Sequence, residues 1–207
     1  ASITATAVAD SVTVNVRASV ESSYEGYVTG TQKLTITAKA YGINTASDSK
    51  EYDGTPLTNK NAEVAGLVAK DTAYVEGTGE ITDKGEVPNS AGDVNWASGT
   101  DERNYIHDTS LDGIGVLTVT AKKIDPTPTP TPEDPDAVEH KLTLQGLENV
   151  TYNGSSQPQH EKIVVKEGDN KLVEGKDYEL RWSSDTTNVG TVRVTVVGKG
   201  NYDGEDW

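Results

Sequence analysis

The chain has 207 residues, of which 33% are hydrophobic, with no cysteine, phenylalanine or methionine and a formal net charge of −15. Without cysteine, the chain cannot contain a disulfide scaffold, a thiol nucleophile or thiolate-bound zinc. Acidic residues are spread along the whole sequence, which argues against nucleic acid and anionic membranes as partners, because both need clustered lysine and arginine. No stretch approaches the roughly 18 apolar residues of a membrane span, so membrane insertion is not expected.

Aliphatic and polar residues alternate with a period of two along most of the chain, and this pattern predicts β-strands. In chain order, we expect strands at residues 11–20, 33–39, 115–123, 138–144, 162–166, 177–182 and 191–197. Residues 61–70 are the best helix candidate, but Gly66 interrupts them. Short strands separated by turn residues indicate an all-β fold of the sandwich type.

Short phrases recur along the chain. Residues 34–39 read LTITAK and return as LTVTAK at 117–122, while the Tyr-Asp-Gly phrase at 52–54 returns as Tyr-Asn-Gly at 152–154. Recurrence at the length of a small β-sandwich indicates tandem copies of one β-unit. Asp-Gly and Asn-Gly favour tight turns, and the adjacent tyrosine can pack on the end of a sandwich. We interpret these phrases as specifying the fold.

A proline-rich segment at 126–135, with the sequence PTPTPTPEDP, contains five of the eight prolines. Proline lacks a backbone donor and fixes φ, which excludes a helix or an interior strand. The segment therefore predicts an extended polyproline-II spacer of about 3.1 Å per residue. In secreted proteins, such Thr-Pro runs can carry O-glycans.

The predicted organisation has four segments. Residues 1–40 are the C-terminal part of a preceding β repeat, and 41–125 form a first sandwich. Residues 126–136 are the Pro/Thr linker, and 137–207 form a second Ig-like β domain, which we expect to be truncated at its C-terminal end. The predicted fold class is therefore all-β, with tandem small Ig-like β-sandwich domains joined by an extended Pro/Thr linker.

The order of the phrases resembles the mostly bacterial Ig-like repeats, or MBG repeats, of Gram-positive surface adhesins. The first sandwich carries this resemblance through the sequence KEYDGTPLT at 50–58, Gly66-Leu67, Asp71-Thr72, Asn104-Tyr105 and GVLTVT at 115–120. The region after the linker is similar to a sister repeat of large wall-attached proteins, through residues 150–154, 172–178, 188–191 and 196–204.

The resemblance implies non-catalytic structural stalk or spacer repeats of an extracellular, cell-wall-attached bacterial surface protein. Such repeats contact their neighbours in the same chain and project a distal domain, through which a host glycan or protein would be bound. The alternative is an adhesin module that binds host glycan or protein through its own loops. Either function predicts no enzyme activity and no cofactor.

Candidate chemistry in the sequence is sparse. The histidines His107, His140 and His160 lack a metal-ligand spacing and are expected at the surface. Residues 202–206 lack the alternating aspartates of a calcium loop. A carboxylate pair from distant strands would suit glycoside hydrolysis, but two small sandwiches leave little room for a buried site. We therefore predict no catalytic, cofactor-binding or metal-binding residue. An amide crosslink between a lysine and an asparagine, assisted by a buried Asp or Glu, stays an open alternative, because no motif in the sequence identifies these three residues.

Two tryptophans are candidates for ligand binding, because an exposed indole on a sandwich can stack against sugars. Trp182 alternates with Leu180 in a predicted strand, which favours core packing. Trp96 lies in a segment, 95–99, that is not clearly a strand. Trp96 is therefore the one candidate ligand-binding residue.

Overall fold

The structure is a computed structural model that describes residues 9–18 and 28–207, with side chains described from residue 35 onward. The described residues form short strands and three single-turn 3-10 helices, with no α-helix among them. The all-β fold class is therefore confirmed. The parts of the predicted first segment at 1–8 and 19–27, including the end of the strand expected at 11–20, lie outside the described residues.

The strands are numbered in chain order. They are β1 (Ala9–Ala18), β2 (Val28–Ile36), β3 (Lys39–Thr45), β4 (Asp48–Glu51), β5 (Leu57–Thr58), β6 (Ala62–Ala65), β7 (Ala73–Tyr74), β8 (Glu80–Ile81), β9 (Gly85–Pro88), β10 (Asn95–Trp96), β11 (Tyr105–His107), β12 (Val116–Thr120), β13 (Lys122–Lys123), β14 (Thr127–Pro128), β15 (Val138–Glu139), β16 (Thr143–Gln145), β17 (Val164–Glu167), β18 (Asn170–Lys171), β19 (Tyr178–Trp182), β20 (Val194–Gly198), β21 (Tyr202–Asp203) and β22 (Glu205–Asp206). The 3-10 helices are Glu102–Asn104, Thr109–Leu111 and His160–Lys162. The helix candidate at 61–70 is thus mainly strand β6 and turn.

The described residues divide into two compact units. Of the described residues, unit 1 draws on 9–18, 28–48, Thr58–Gly79 and Pro88–Val116, and unit 2 draws on Ser49–Leu57, Glu80–Val87 and Leu117–Trp207. Unit 1 contains the sheets β1-β2, β10-β7 and β11-β3-β6. Unit 2 mainly contains β4-β12-β9, β5-β8, β13-β21, β14-β15, β16-β17-β18 and β19-β20-β22.

The core of unit 1 lies on one face of β3. Tyr41 and Ile43 alternate along this strand, so both side chains point to the same face, where they pack with Val75 and Tyr105. β3 pairs parallel with β11 and antiparallel with β6, which makes it the central strand of its sheet. A central strand with buried residues two apart is what the alternating pattern predicts.

A buried asparagine joins three loops of unit 1. Asn89 has 0% exposure, and its side chain bonds the backbone of Ala46, Asn59 and Gly79. A Cβ at Gly77 would lie 2.3 Å from the Asn59 carbonyl oxygen and 2.7 Å from Asn89 Nδ2. The loop therefore needs a glycine here, because the backbone approaches the amide too closely for a side chain.

Unit 2 has two groups of buried side chains. Leu117 and Val119 of β12 pack with Leu57, as the alternation of the LTVTAK phrase predicts. The larger group comprises Ile124, Leu142, Ile163, Val165, Leu172, Tyr178, Val194, Val196 and Tyr202. Trp182 packs against this group, which confirms the prediction made from its alternation with Leu180.

The same parallel strand pairing occurs in each unit. Lys39 of β3 lies opposite Tyr105 of β11, and Lys122 of β13 lies opposite Tyr202 of β21. The two lysines end the repeated LTITAK and LTVTAK phrases, and each tyrosine follows an asparagine. Both tyrosines are buried, and each hydroxyl donates a hydrogen bond to a carboxylate. Recurrence in sequence thus corresponds to recurrence of local tertiary structure.

The two Tyr-Asx-Gly phrases form the same turn. Gly54 and Gly154 have φ angles of 78° and 77°, a conformation that glycine adopts without steric cost. A side-chain oxygen of Asp53 accepts a hydrogen bond from the backbone N–H two residues later at 2.9 Å, and so does Asn153 at 2.9 Å. The predicted turn chemistry is therefore confirmed at both places.

The first of these turns also holds an ammonium group. Lys50 Nζ donates to Asp53 Oδ1 at 2.7 Å, to the Thr55 carbonyl at 2.6 Å and to Thr55 Oγ1 at 2.7 Å. The hydrogen bond from Lys50, followed by those from Thr55, holds the pKa of Asp53 far below its usual range. In the second copy, Val150 stands at the position of Lys50.

Replacing Lys50 should change the acid stability of unit 2. Because the pKa of Asp53 is depressed on folding, its contribution to stability is present above the unfolded pKa of about 4. It is lost as the pH falls through the folded pKa. We expect Lys50→Met to lower the thermal midpoint more at neutral pH than at about pH 2. Thermal unfolding of unit 2, followed at both pH values through the Trp182 indole N–H signal, checks this, with Lys171→Met at an exposed position of the same unit as control. An equal deficit at both pH values would contradict it.

The Pro/Thr segment folds back on itself. β14 pairs antiparallel with β15, and the Thr129 N–H donates to the Ala137 carbonyl at 2.8 Å. The Thr131 N–H donates to the Asp134 carbonyl at 2.8 Å, which closes a turn. Alternate residues of an edge strand point their N–H groups away from the partner, so prolines at those positions cost no hydrogen bond. The predicted extended spacer is therefore not confirmed.

The boundaries of the compact units differ from those of the predicted segments. Residues 117–125, which were expected to end the first sandwich, belong to the same unit as 137–207. Within unit 2, the Lys122 N–H donates to the Asn201 carbonyl at 2.8 Å, and the Ile124 N–H to that of Asp203 at 2.9 Å. The organisation into 1–40, 41–125, 126–136 and 137–207 stays a prediction.

Candidate ligand-binding groove

A shallow groove of about 820 Å³ opens on the surface of unit 1. Strands β3, β10 and β11, the loop that precedes β10 and the segment after β11 contribute its walls. The rings of Tyr41, Trp96 and His107 line it together with the carboxylates of Asp93 and Asp112. Small, aliphatic and hydroxyl-bearing residues complete the walls. A groove with several rings and a few polar groups has the composition of a ligand site.

Parallel pairing of β3 with β11 orders the rings of the groove. Tyr41 lies opposite His107 in this pairing, and their rings stack with centroids 5.0 Å apart. Tyr105, two residues before His107, stacks on Trp96 at 5.3 Å. Trp96 in turn meets Tyr41 edge to face at 5.5 Å. The four rings therefore form one continuous series from the core to the surface.

Tyr105 anchors the buried end of this series. Its hydroxyl donates to Asp71 Oδ2 at 2.6 Å and accepts from the Val68 N–H at 3.1 Å. Burial, followed by the hydrogen bond to Asp71, raises the pKa of Tyr105. The ring is thereby fixed, and it supports the indole of Trp96 from below.

Asp112 holds the outer end of the series. Its Oδ1 accepts a hydrogen bond from the backbone N–H of Ile43 at 2.7 Å and lies 2.8 Å from Nε2 of His107. The hydrogen bond from His107, followed by that from Ile43, lowers the pKa of Asp112. The 3-10 turn Thr109–Leu111 places Asp112 beneath the imidazole, and Asp108 caps that turn through the Ser110 N–H. The turn therefore fixes the position of Asp112, and the hydrogen bond to Asp112 orients the ring of His107.

The groove is electronegative. Burial, followed by the charges of Asp112 and Glu102, raises the pKa of Tyr41. Two aspartates, but no lysine or arginine, are among the described residues that line the groove. A positively charged group would therefore be attracted to it, and an anion would be repelled.

Trp96, the one predicted ligand-binding residue, lies in the groove wall. It belongs to the two-residue strand β10, which pairs with β7, and it is partly buried against the core of unit 1. Its neighbours in the groove, Tyr41, His107 and Asp112, were not predicted as site residues. Pairing of β3 with β11 brings Tyr41 and His107 together, while ring contacts place Trp96 beside Tyr41 and hydrogen bonds place Asp112 beside His107. No local signal in the sequence could have identified them.

The three histidines, expected at the surface, are exposed, and each has a carboxylate partner. His107 pairs with Asp112, His140 with Asp206 at 2.6 Å and His160 with Glu174 at 2.9 Å. His140 also stacks on Trp207, with ring centroids 4.0 Å apart. In the part of the chain that the structure describes, no group of three or more His, Asp or Glu is placed to hold a metal ion.

In comparisons with known proteins, no protein-family model matches the chain, and no curated protein or solved structure is significantly similar to it. The resemblance to MBG repeats therefore stays a prediction from short motifs. Among residues 9–18 and 28–207, the structure contains no helix of the length and apolar character that spans a bilayer.

Proposed function

We propose that the chain consists of non-catalytic stalk or spacer repeats of an extracellular, cell-wall-attached bacterial surface protein. These repeats project a distal adhesive or functional domain. The single observation that carries this proposal is the duplicated parallel pairing, Lys39 with Tyr105 and Lys122 with Tyr202. A chain that repeats one tertiary arrangement, including its strand register, is typical of proteins built by repetition of a structural unit.

Two further features support a spacer. The repeated Tyr-Asx-Gly turns have the same φ angles and the same hydrogen bonds, so the repetition extends to the loops. A net charge of −15 favours solubility and repulsion between neighbouring molecules, which suits a densely displayed surface protein. In this proposal, the partners of the chain are its neighbouring repeats, and contact with a host glycan or protein is made by the distal domain.

The spacer function is tested by replacing this whole 207-residue segment in the surface protein that contains it. Deletion of the segment is expected to reduce attachment of cells to the target of the distal domain, because the domain loses reach. Replacement by unrelated β repeats of equal length is expected to restore attachment. Attachment and surface display would be measured together, so that lost export is distinguished from lost reach. If equal-length replacement fails while display is normal, the spacer function is wrong.

A second candidate function is an adhesin module that binds host glycan or protein through its own loops. The observation that favours it is the groove at Trp96, where three rings and two carboxylates meet at the surface. The exchange experiment separates the two functions. A binding module loses attachment on equal-length replacement, whereas a spacer does not.

A further inference from the structure

We infer that the groove of unit 1 binds a lysine or arginine side chain presented by a basic segment of a partner protein. This inference goes beyond the spacer function and does not depend on it, because a stalk repeat with or without a binding groove provides the same reach. It rests on the rings, the carboxylates and the charge of the groove.

The rings provide the first part of the site. An ammonium or guanidinium group is attracted to the face of an aromatic ring, and tryptophan binds such cations best. Trp96 lines the groove and is held by contacts with Tyr105 and Tyr41 at 5.3 and 5.5 Å. Since these neighbours already fix the indole, little side-chain freedom is lost when a ligand binds. The rings are therefore preorganised for a flat or cationic group.

An unoccupied carboxylate provides the second part. Asp93 is exposed in the groove wall, and no hydrogen bond or ion pair with another described residue occupies its carboxylate. Asp112, by contrast, is only 14% exposed and is engaged by His107 and the Ile43 N–H. Asp93 is thus the carboxylate free to pair with an incoming cation, while Asp112 adds negative potential from below.

The charge and size of the groove indicate a segment of a protein as its occupant. No lysine or arginine is among the described residues that line the groove, and His107 is already paired with Asp112, so the groove favours a cation over a carboxylate or phosphate. The volume of about 820 Å³ is far larger than one ammonium group, so residues flanking the basic side chain would also be accommodated. The net charge of −15 attracts basic partners over longer distances.

The intact chain would be titrated with a capped Gly-Lys-Gly peptide while its indole N–H signals are followed by NMR. The chain has three tryptophans, so Trp182 and Trp207 serve as internal references for Trp96. The lysine peptide is expected to shift the Trp96 signal, and raising the salt concentration is expected to weaken the effect. A peptide with uncharged norleucine in place of lysine is expected to bind about threefold to fivefold more weakly.

Binding by two variants, and binding of a neutral oligosaccharide, test whether the groove recognises the positive charge. Asp93→Asn is expected to weaken binding of the lysine peptide about threefold to fivefold, whereas Asp169→Asn, at an exposed turn in unit 2, leaves it unchanged. Equal binding of the norleucine peptide, equal weakening by both variants, or no shift of Trp96 overturns the inference. A shift caused by a neutral oligosaccharide but not by the lysine peptide also overturns it, and supports the glycan-binding module.

Discussion

Replacing Asn89 by alanine is expected to lower the free energy of unfolding of unit 1 by about 3 kcal/mol or more. Its Nδ2 donates to the carbonyl oxygens of Ala46 and Asn59, both at 2.8 Å, and its Oδ1 accepts from the Gly79 N–H at 3.1 Å. The side chain is fully buried. Alanine would leave these backbone groups without partners, and each such loss costs about 1–3 kcal/mol.

The measurement needs a signal that belongs to unit 1, because the chain has two compact units and a single unfolding midpoint would mix them. The indole N–H signal of Trp96 reports unit 1 during a denaturant titration, and that of Trp182 reports unit 2. Asn61→Ala, which removes the same amide from an exposed position, is expected to change stability by less than about 0.5 kcal/mol. A loss below about 1 kcal/mol for Asn89→Ala would show that the buried amide is not required.

Replacing Asp206 by alanine is expected to destabilise unit 2 by about 3 kcal/mol. The carboxylate is 1% exposed, and its Oδ2 accepts from the N–H groups of Lys141 and Leu142, both at 2.9 Å. Its Oδ1 accepts from the Trp207 N–H at 2.8 Å and from Nδ1 of His140 at 2.6 Å. Alanine would leave buried donors unpaired and would release the stacked rings of His140 and Trp207.

The substitution Asp206→Asn keeps the shape of the side chain but removes its negative charge. Its amide oxygen can still accept hydrogen bonds, but its NH2 group faces donors, so an intermediate loss of stability is expected. The Trp182 indole signal again provides the measurement, and Asp169→Ala in an exposed turn is the control. If Asp206→Ala unfolds at the same denaturant concentration as the wild type, this cluster contributes nothing to stability.

Much of the secondary structure follows from local pattern. Leu117 and Val119 alternate with threonines and are buried on β12, as period-two alternation predicts. Gly54 and Gly154 adopt positive φ where Asp-Gly and Asn-Gly predict turns. Such features depend on neighbours within a few residues, so the sequence is sufficient to predict them. The single strand expected at 138–144 is instead divided into β15 and the start of β16.

The Pro/Thr segment shows the limit of local reasoning. Proline excludes an interior strand at 126–135, but it does not exclude an edge strand in which threonines supply the hydrogen bonds. Whether the segment runs on as a spacer or turns back depends on a partner strand, and β15 provides one. Propensity describes an isolated segment, whereas pairing depends on what lies beside it.

The sequence by itself determined the all-β class and the tight Asx-Gly turns, because the first depends on short-range alternation and the second on backbone sterics. Only the tertiary structure decided which strands pair, and therefore that Tyr41 meets His107 and Trp96 in one groove. It also decided that Asn89 and Asp206 are buried and bonded. These contacts join residues far apart in sequence, and no local pattern encodes which distant backbone groups come within hydrogen-bonding distance.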